Sequence, residues 1–208
     1  MFVYLHGFAS SPRSTKAKQL SDCFAQRRIK LHVPDLNQHD FAHLTLTRQI
    51  EQVKALMPLQ EAVTIVGSSF GGLTAAWIAQ HNSQVVRLVL LAPAFGMLHY
   101  WLGKIDPQAL AAWRSGELML IYHYGENRSL PLDYQFVTDL ERYDERQLKR
   151  AVPTLILHGV NDEVIPIAAS RSYAASRPWV ELIELESDHA LTNQTAQIWN
   201  AICRFCRL

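Results

Sequence analysis

Six short apolar runs punctuate this chain, at Phe2–Leu5, Ile29–Val33, Val63–Val66, Val85–Leu91, Thr154–Leu157 and Val180–Leu185. They are rich in Val, Ile and Leu and mostly lack polar alternation, the mark of strands covered on both faces. Helix-length segments separate them, predicted at residues 12–28, 44–57, 70–82, 166–177 and 194–206. Ser11-Pro12 reads as an N-cap followed by proline at the first helical position. Repeated strand–helix order of this kind predicts an α/β fold: a doubly wound, parallel sheet of about six strands joined by right-handed crossovers. At 208 residues, 49% hydrophobic and 19% charged, the chain is no candidate for disorder and has length enough for one sizeable core. We expect a single domain over residues 1–208 that needs neither disulfides nor a metal to fold.

One interval breaks the rhythm. Residues 97–150 stand where a short crossover would do, and so long a connection carries structure or function of its own. Asp106-Pro107 starts a predicted helix that Gly116 ends. Leu118–Tyr124 and Arg128–Tyr134 are expected to pair as a hairpin around Gly125-Glu126-Asn127. Tyr100, Trp101, Trp113, Tyr122, Tyr124, Tyr134, Phe136 and Tyr143 all fall here, so we expect a small aromatic cap over one end of the sheet.

The charge balance is 20 basic residues against 19 acidic, so no overall field recruits nucleic acid or an anionic membrane. Met1–Leu5 is apolar at once, without a basic lead, and does not read as a signal peptide. The longest uncharged apolar run, Leu88–Leu98, is too short for membrane insertion. Three cysteines, Cys23, Cys203 and Cys206, form no framework and point to a reducing, cytoplasmic setting. Cys203-Arg-Phe-Cys206 lacks a second pair and reads as two structural thiols in a helix. The sequence is compatible with a monomer or a homodimer.

The strongest chemical signal is Gly67-Ser68-Ser69-Phe70-Gly71, placed between a predicted strand and a predicted helix. In that context G-x-S-x-G is a sharp turn that thrusts its central serine into the open. A serine hydroxyl needs a base to become a nucleophile. Leu157-His158-Gly159-Val160-Asn161-Asp162 and Glu186-Ser187-Asp188-His189 each follow a strand and supply the candidates. The chain order Ser69, Asp162, His189 suits a triad mounted on the carboxyl ends of a parallel sheet. His189 would take the Ser69 proton, and Asp162 would hold the imidazole tautomer. Glu163 and Asp188 are rivals for the acid role. An oxyanion hole is expected from the backbone N–H groups of Phe8 and Phe70. His6 and His158, each before a glycine, read as structural. His32, Asp35, His39, Asp40 and His43 form a competing cluster, but Pro34 and Asn37 mark it as a polar loop, so no metal and no cofactor is expected.

These residues resemble the α/β-hydrolase superfamily, in particular small bacterial esterases of the YqiA type and cap-bearing serine carboxylesterases. The resemblance rests on Tyr4-Leu5-His6-Gly7-Phe8-Ala9-Ser10-Ser11-Pro12, on Val66-Gly67-Ser68-Ser69-Phe70-Gly71-Gly72, on His158-Gly159 with Asp162, and on Asp188-His189. Within the cap, Leu130-Pro131-Leu132-Asp133-Tyr134-Gln135-Phe136 with Asp139 and Tyr143-Asp144 is similar to caps of bacterial carboxylesterases. The resemblance implies strand order 2-1-3-4-5-6, without the antiparallel hairpin that opens larger members. It implies a serine hydrolase acting on a small-molecule carboxylic ester, largely apolar and of modest size, through an acyl-enzyme. A thioesterase would use the same machinery, and a ligand-binding module on the same scaffold is the alternative outside enzymes.

Overall fold

The computed structural model describes all of residues 1–208. The elements run β1 (Phe2–Leu5), α1 (Thr15–Gln26), β2 (Leu31–His32), α2 (Leu46–Leu56), β3 (Val63–Ser68), α3 (Phe70–His81) and β4 (Val85–Leu91). The cap then contributes α4 (Met97–Leu102), α5 (Pro107–Arg114), β5 (Met119–His123), β6 (Arg128–Leu132) and α6 (Gln135–Leu140). The chain finishes with β7 (Thr154–Gly159), α7 (Ile167–Ala175), β8 (Val180–Leu185) and α8 (Thr195–Cys206). Six strands form one sheet in the order β2-β1-β3-β4-β7-β8, every neighbouring pair parallel. Counted along the sheet strands alone, this is the expected 2-1-3-4-5-6.

Period-two alternation divides the core into two layers. Val3, Leu5, Ile65, Leu88, Leu90 and Ile156 face α2, α3 and the cap. Tyr4, Val66, Val89, Leu91, Leu155 and Leu157 face the other way, onto Leu20 and Phe24 of α1 and Ile198 and Ile202 of α8. Helix α3 is buried from Phe70 through Ala79, apolar all round, because it lies between the sheet and α2. Inside that layer the Thr74 hydroxyl donates to the Gln49 side chain at 2.8 Å, which keeps a buried polar pair satisfied.

The first helix begins later than its proline signal. Its N-cap is Ser14, whose side chain accepts from the Ala17 N–H, and helical residues start at Thr15. Ser11 instead closes a tight turn by accepting from the Arg13 N–H at 3.2 Å. The Ser11-Pro12 reading is therefore corrected: Pro12 stands in that turn, and the helix starts only after Ser14. In the cap, α5 and the hairpin form where the sequence predicts them, with Asp106 capping α5 through the Gln108 and Ala109 N–H groups at 3.0 Å each. Helices α4 and α6 were not foreseen, since six residues is too short a stretch for periodicity to register.

Within the cap the Trp113 indole donates to the Leu132 carbonyl at 2.8 Å. Other bonds tie the cap to the sheet body. Backbone bonds run from Tyr124 to Ala9 and from Asp133 to Ala42, each 2.8 Å. Asp139 accepts from the Thr47 N–H at 2.9 Å and from its hydroxyl at 2.5 Å. Phe8, Phe70, Trp101 and Phe136 form one aromatic cluster with centroids 5.1–6.2 Å apart, so the cap shares its core with the nucleophile-bearing layer. At the cap's entrance the Glu145 carboxylate accepts the Gly96 N–H at 2.8 Å. Burial pushes that carboxyl up to about 7, against the pull of the Gly96 bond and of Arg177.

Candidate active site

The sheet reverses direction of growth between β1 and β3, and loops leaving those two strands meet over that crevice. Ser69 follows β3 with φ 53° and ψ −118°, a conformation an L-residue holds only when its surroundings impose it. Here they do. Its N–H donates to Leu91 at 2.9 Å, and its carbonyl accepts from Gly72, Leu73 and Ala94 at 2.8, 3.2 and 3.0 Å. A Cβ on Gly67 would collide with the Gly71 carbonyl, and one on Gly71 with the Leu5 carbonyl, so neither position admits a side chain.

His189, in the turn after β8, places Nε2 3.0 Å from Ser69 Oγ and Nδ1 2.7 Å from Asp162 Oδ2. Asp162, in the turn after β7, has a fully buried side chain. Its other oxygen accepts from the N–H groups of Val164 and Ile165 at 2.9 and 2.8 Å. Burial alone would raise this carboxyl; hydrogen bonds from His158 and His189, and from Ile165, outweigh that and hold it well below the usual carboxylate range. Asp162 is therefore an anion, and Nδ1 of His189 carries the proton. That leaves Nε2 as the acceptor aimed at Ser69.

The rivals stand elsewhere. The Asp188 carboxylate caps its own turn by accepting from Ala190 and Leu191 at 3.0 and 3.1 Å. Glu163 is exposed, and only its backbone carbonyl is engaged, by Lys104 at 3.0 Å. The N–H groups of Phe8 and Phe70 make no hydrogen bond within the protein. The loop carrying Phe8 passes against the nucleophile: a Cβ at Gly7 would lie 3.4 Å from that of Ser69. His6 braces this loop, donating from Nδ1 to the Gly7 carbonyl and accepting the Leu36 N–H at Nε2, each at 3.0 Å.

His158 has more to do than the sequence disclosed. Its Nε2 lies 3.0 Å from Asp162 Oδ2 and 2.9 Å from the Ile165 carbonyl, both acceptors. Nε2 is thus protonated, and Nδ1 takes the Ser170 hydroxyl at 2.7 Å. Asp162 Oδ2 is clamped between two imidazoles. The spacing of four residues between His158 and Asp162 was the available signal, but it reads as a contact only once the turn after β7 is known.

A cavity of about 550 Å³ opens in front of Ser69 and His189. Phe8, Met97, Tyr100, Trp101, Ile121, Tyr124, Val164 and Ile165 make its wall largely apolar, with Lys104, Glu163 and Asp188 at the edge. The competing histidine cluster does not converge on one point. His43 pairs with Asp40 at 2.9 Å, and Asp40 also meets Arg48. Asp35, His39 and Asp40 line a separate polar cavity of about 360 Å³ with His123, Glu126 and Arg128. Cys23, Cys203 and Cys206 are unpaired, and burial pushes the Cys206 thiol up to about 11.

Residues 1–206 match the uncharacterised protein family UPF0227. The chain belongs to that family. Its fold is that of the α/β-hydrolases. The monoacylglycerol lipase of Paleococcus ferrophilus superposes with a TM-score of 0.80 at 16% identity, covering 98% of this chain and 92% of the lipase. Est1E from Butyrivibrio proteoclasticus, in a structure with ferulic acid bound, gives 0.78 at 17% identity, over 99% and 87%. Mouse alpha/beta hydrolase domain-containing protein 10 gives 0.77 at 20% identity, over 99% and 88%. At such identities the likeness is one of fold.

Proposed function

We propose that the protein is a serine hydrolase of carboxylic esters. One observation carries this reading: the unbroken chain of hydrogen bonds from Ser69 through His189 to the buried Asp162, opening on an apolar cavity. Ser69 Oγ attacks the acyl carbonyl carbon while His189 Nε2 takes its proton. The carbonyl π electrons move onto oxygen, where the Phe8 and Phe70 N–H groups receive the negative charge. Collapse expels the alkoxide, which leaves as the alcohol with the proton from His189. Water then repeats the sequence on the acyl-enzyme and frees the acid and Ser69. The steps balance with no other reactant.

The cavity wall suits an apolar acyl or aryl group of modest size, since 550 Å³ falls in the range of small-molecule sites. Est1E, which shares this fold, has been seen with ferulic acid, an acid carrying an aromatic ring, bound to it. Thioesters would meet the same groups, and parallel ester and thioester panels separate the two. The three unpaired thiols fit a reducing compartment, and we place the enzyme in the cytoplasm. No helix is long and apolar enough to cross a membrane. The test is treatment with a serine-directed fluorophosphonate followed by peptide mapping. One adduct on Ser69, absent after His189→Ala, is expected. A folded protein that takes no label, or takes it elsewhere, would overturn the proposal.

A further inference from the structure

Behind the triad, on the side away from the cavity, helix α1 sends a lysine toward the His189 turn. The Lys16 ammonium lies 3.4 Å from the His189 carbonyl oxygen, a long hydrogen bond whose partner is 173 residues away in sequence. Lys16 is half-buried and sits beside a small gap lined mostly by Leu20, Leu91, Leu191 and Ile198, with Gln19 and Thr195, bonded to each other, as its polar members. It forms no ion pair: Asp162 is taken by His158 and His189, and Asp188 by the N–H groups of its own turn. Besides the His189 ring's bonds to Asp162 and Ser69, the turn is tied to the rest of the protein through the Ser187 carbonyl, which accepts the Asn161 N–H at 3.1 Å. Asp188 and the left-handed Leu191 (φ 55°) shape it from within, and Ser187 bonds Asn193 a few residues on.

A cation held out of water near an imidazole opposes a second positive charge there. We propose that Lys16 is a positioning residue for His189, anchoring its turn to α1 and keeping the resting imidazole free of an extra proton. The inference rests on the ester-hydrolase reading for its catalytic meaning, but the coupling between the two side chains does not. Burial pushes the Lys16 ammonium down to about 8, against the attraction of Asp162 and Asp188, as expected for a charge without a partner. Other charged groups face the pair from several sides. Asp162 comes from the turn after β7 with His158 beyond it, Asp188 from the same turn as His189, and Glu163 and Lys104 from across the cavity edge. The Tyr4 phenol on β1 is held protonated by burial. Of these, Lys16 is the group that binds the His189 main chain.

The test compares Lys16→Met, Lys16→Gln and Lys16→Arg by two readouts. In a Ser69→Ala background, the His189 imidazole is titrated by NMR, which needs no turnover. In the intact enzyme, the acid limb of kcat/KM is followed with a p-nitrophenyl ester. Loss of the charge in Met or Gln should raise the imidazole midpoint by about half a unit to one unit. The acid limb should move by the same amount, while Arg keeps the parent midpoint. An unchanged midpoint in whichever uncharged variant folds, or an equal shift in Arg, overturns the proposal. If the enzyme hydrolyses no ester, the NMR titration still decides for or against Lys16, and the ester reading fails separately.

Discussion

A carboxylate gripped by two imidazoles and two backbone N–H groups cannot swing away from His189. Loss of each residue should therefore scale with its distance from the bond that breaks. Ser69→Ala should cost on the order of 10⁶ in kcat by the precedent of serine proteases. Asp162→Asn should cost roughly 10⁴, because the amide favours the wrong imidazole tautomer. Asp188→Asn should stay within about tenfold of the parent, since its carboxylate caps a turn and does not touch the imidazole. His158→Phe is the more telling change. It removes a donor from Asp162 without touching substrate, and a loss of about ten- to a hundredfold in kcat with little change in KM is expected. Steady-state kinetics on one activated ester would check all four. An unaffected His158→Phe enzyme would mean that His189 and the turn N–H groups position Asp162 alone.

At the scale of elements, the segment entering the cap is held by an unusual acceptor. Glu145 bonds the N–H of Gly96, which adopts the left-handed conformation (φ 69°) just before α4. Its carboxyl titrates near 7 in the fold against an ordinary 4.5. Between those values the native state holds more protons than the unfolded chain, so this group's contribution makes stability fall as pH rises from about 4.5 to 7 and then level off. The effect is on the order of 3 kcal/mol, or roughly 6–12 °C in Tm for a chain this size. Glu145→Gln keeps an acceptor and removes the titration. The difference in Tm between parent and variant, measured across pH 5–8, should therefore grow in the variant's favour with rising pH. A pH-independent difference would show that the Glu145 carboxyl ionises in the fold as freely as in water. The illegible elements were the short helices α4 and α6, six residues each, which tertiary contacts rather than local pattern hold in shape; β2 was legible as the run Ile29–Val33, though only Leu31–His32 pair with β1.

For the molecule as a whole, cap and sheet share one core. Trp113, Leu132, Phe136, Val137, Leu140 and Leu148 come from the insertion yet are buried with the α2–α3 layer. Replacing residues 97–150 by a short linker should therefore fail to leave a folded hydrolase lacking its lid. The expected outcome is loss of cooperative unfolding by circular dichroism, because Phe8 and Phe70 would lose the cap's Trp101 and Phe136 and present an apolar surface to water. A cooperative transition in the shortened chain would show instead that the six-stranded body stands alone. The aromatic residues of the cap divide accordingly. Trp113 and Phe136 fill the core, Tyr100, Trp101 and Tyr124 line the cavity, and Tyr122 is exposed.

The strand order was implied by the family resemblance, whereas sequence pattern alone determined the layered α/β class, its parallel strands and the turn that carries Ser69. Each follows from local pattern: uninterrupted apolar runs demand burial on both faces, parallel strands demand crossovers, and G-x-S-x-G between a strand and a helix marks a sharp turn. Ser69, Asp162 and His189 were legible because parallel strands put the loops that follow them on one rim. Tertiary structure alone decided which charges share that rim's interior. His158 against Asp162, Lys16 against His189 and Glu145 against Gly96 are contacts between side chain and distant backbone or buried carboxylate. No periodicity encodes them, because they depend on how far each turn bends after its strand ends and on how much water the packing shuts out. Strength in electrostatics comes from that exclusion, and it exists only once the chain has folded.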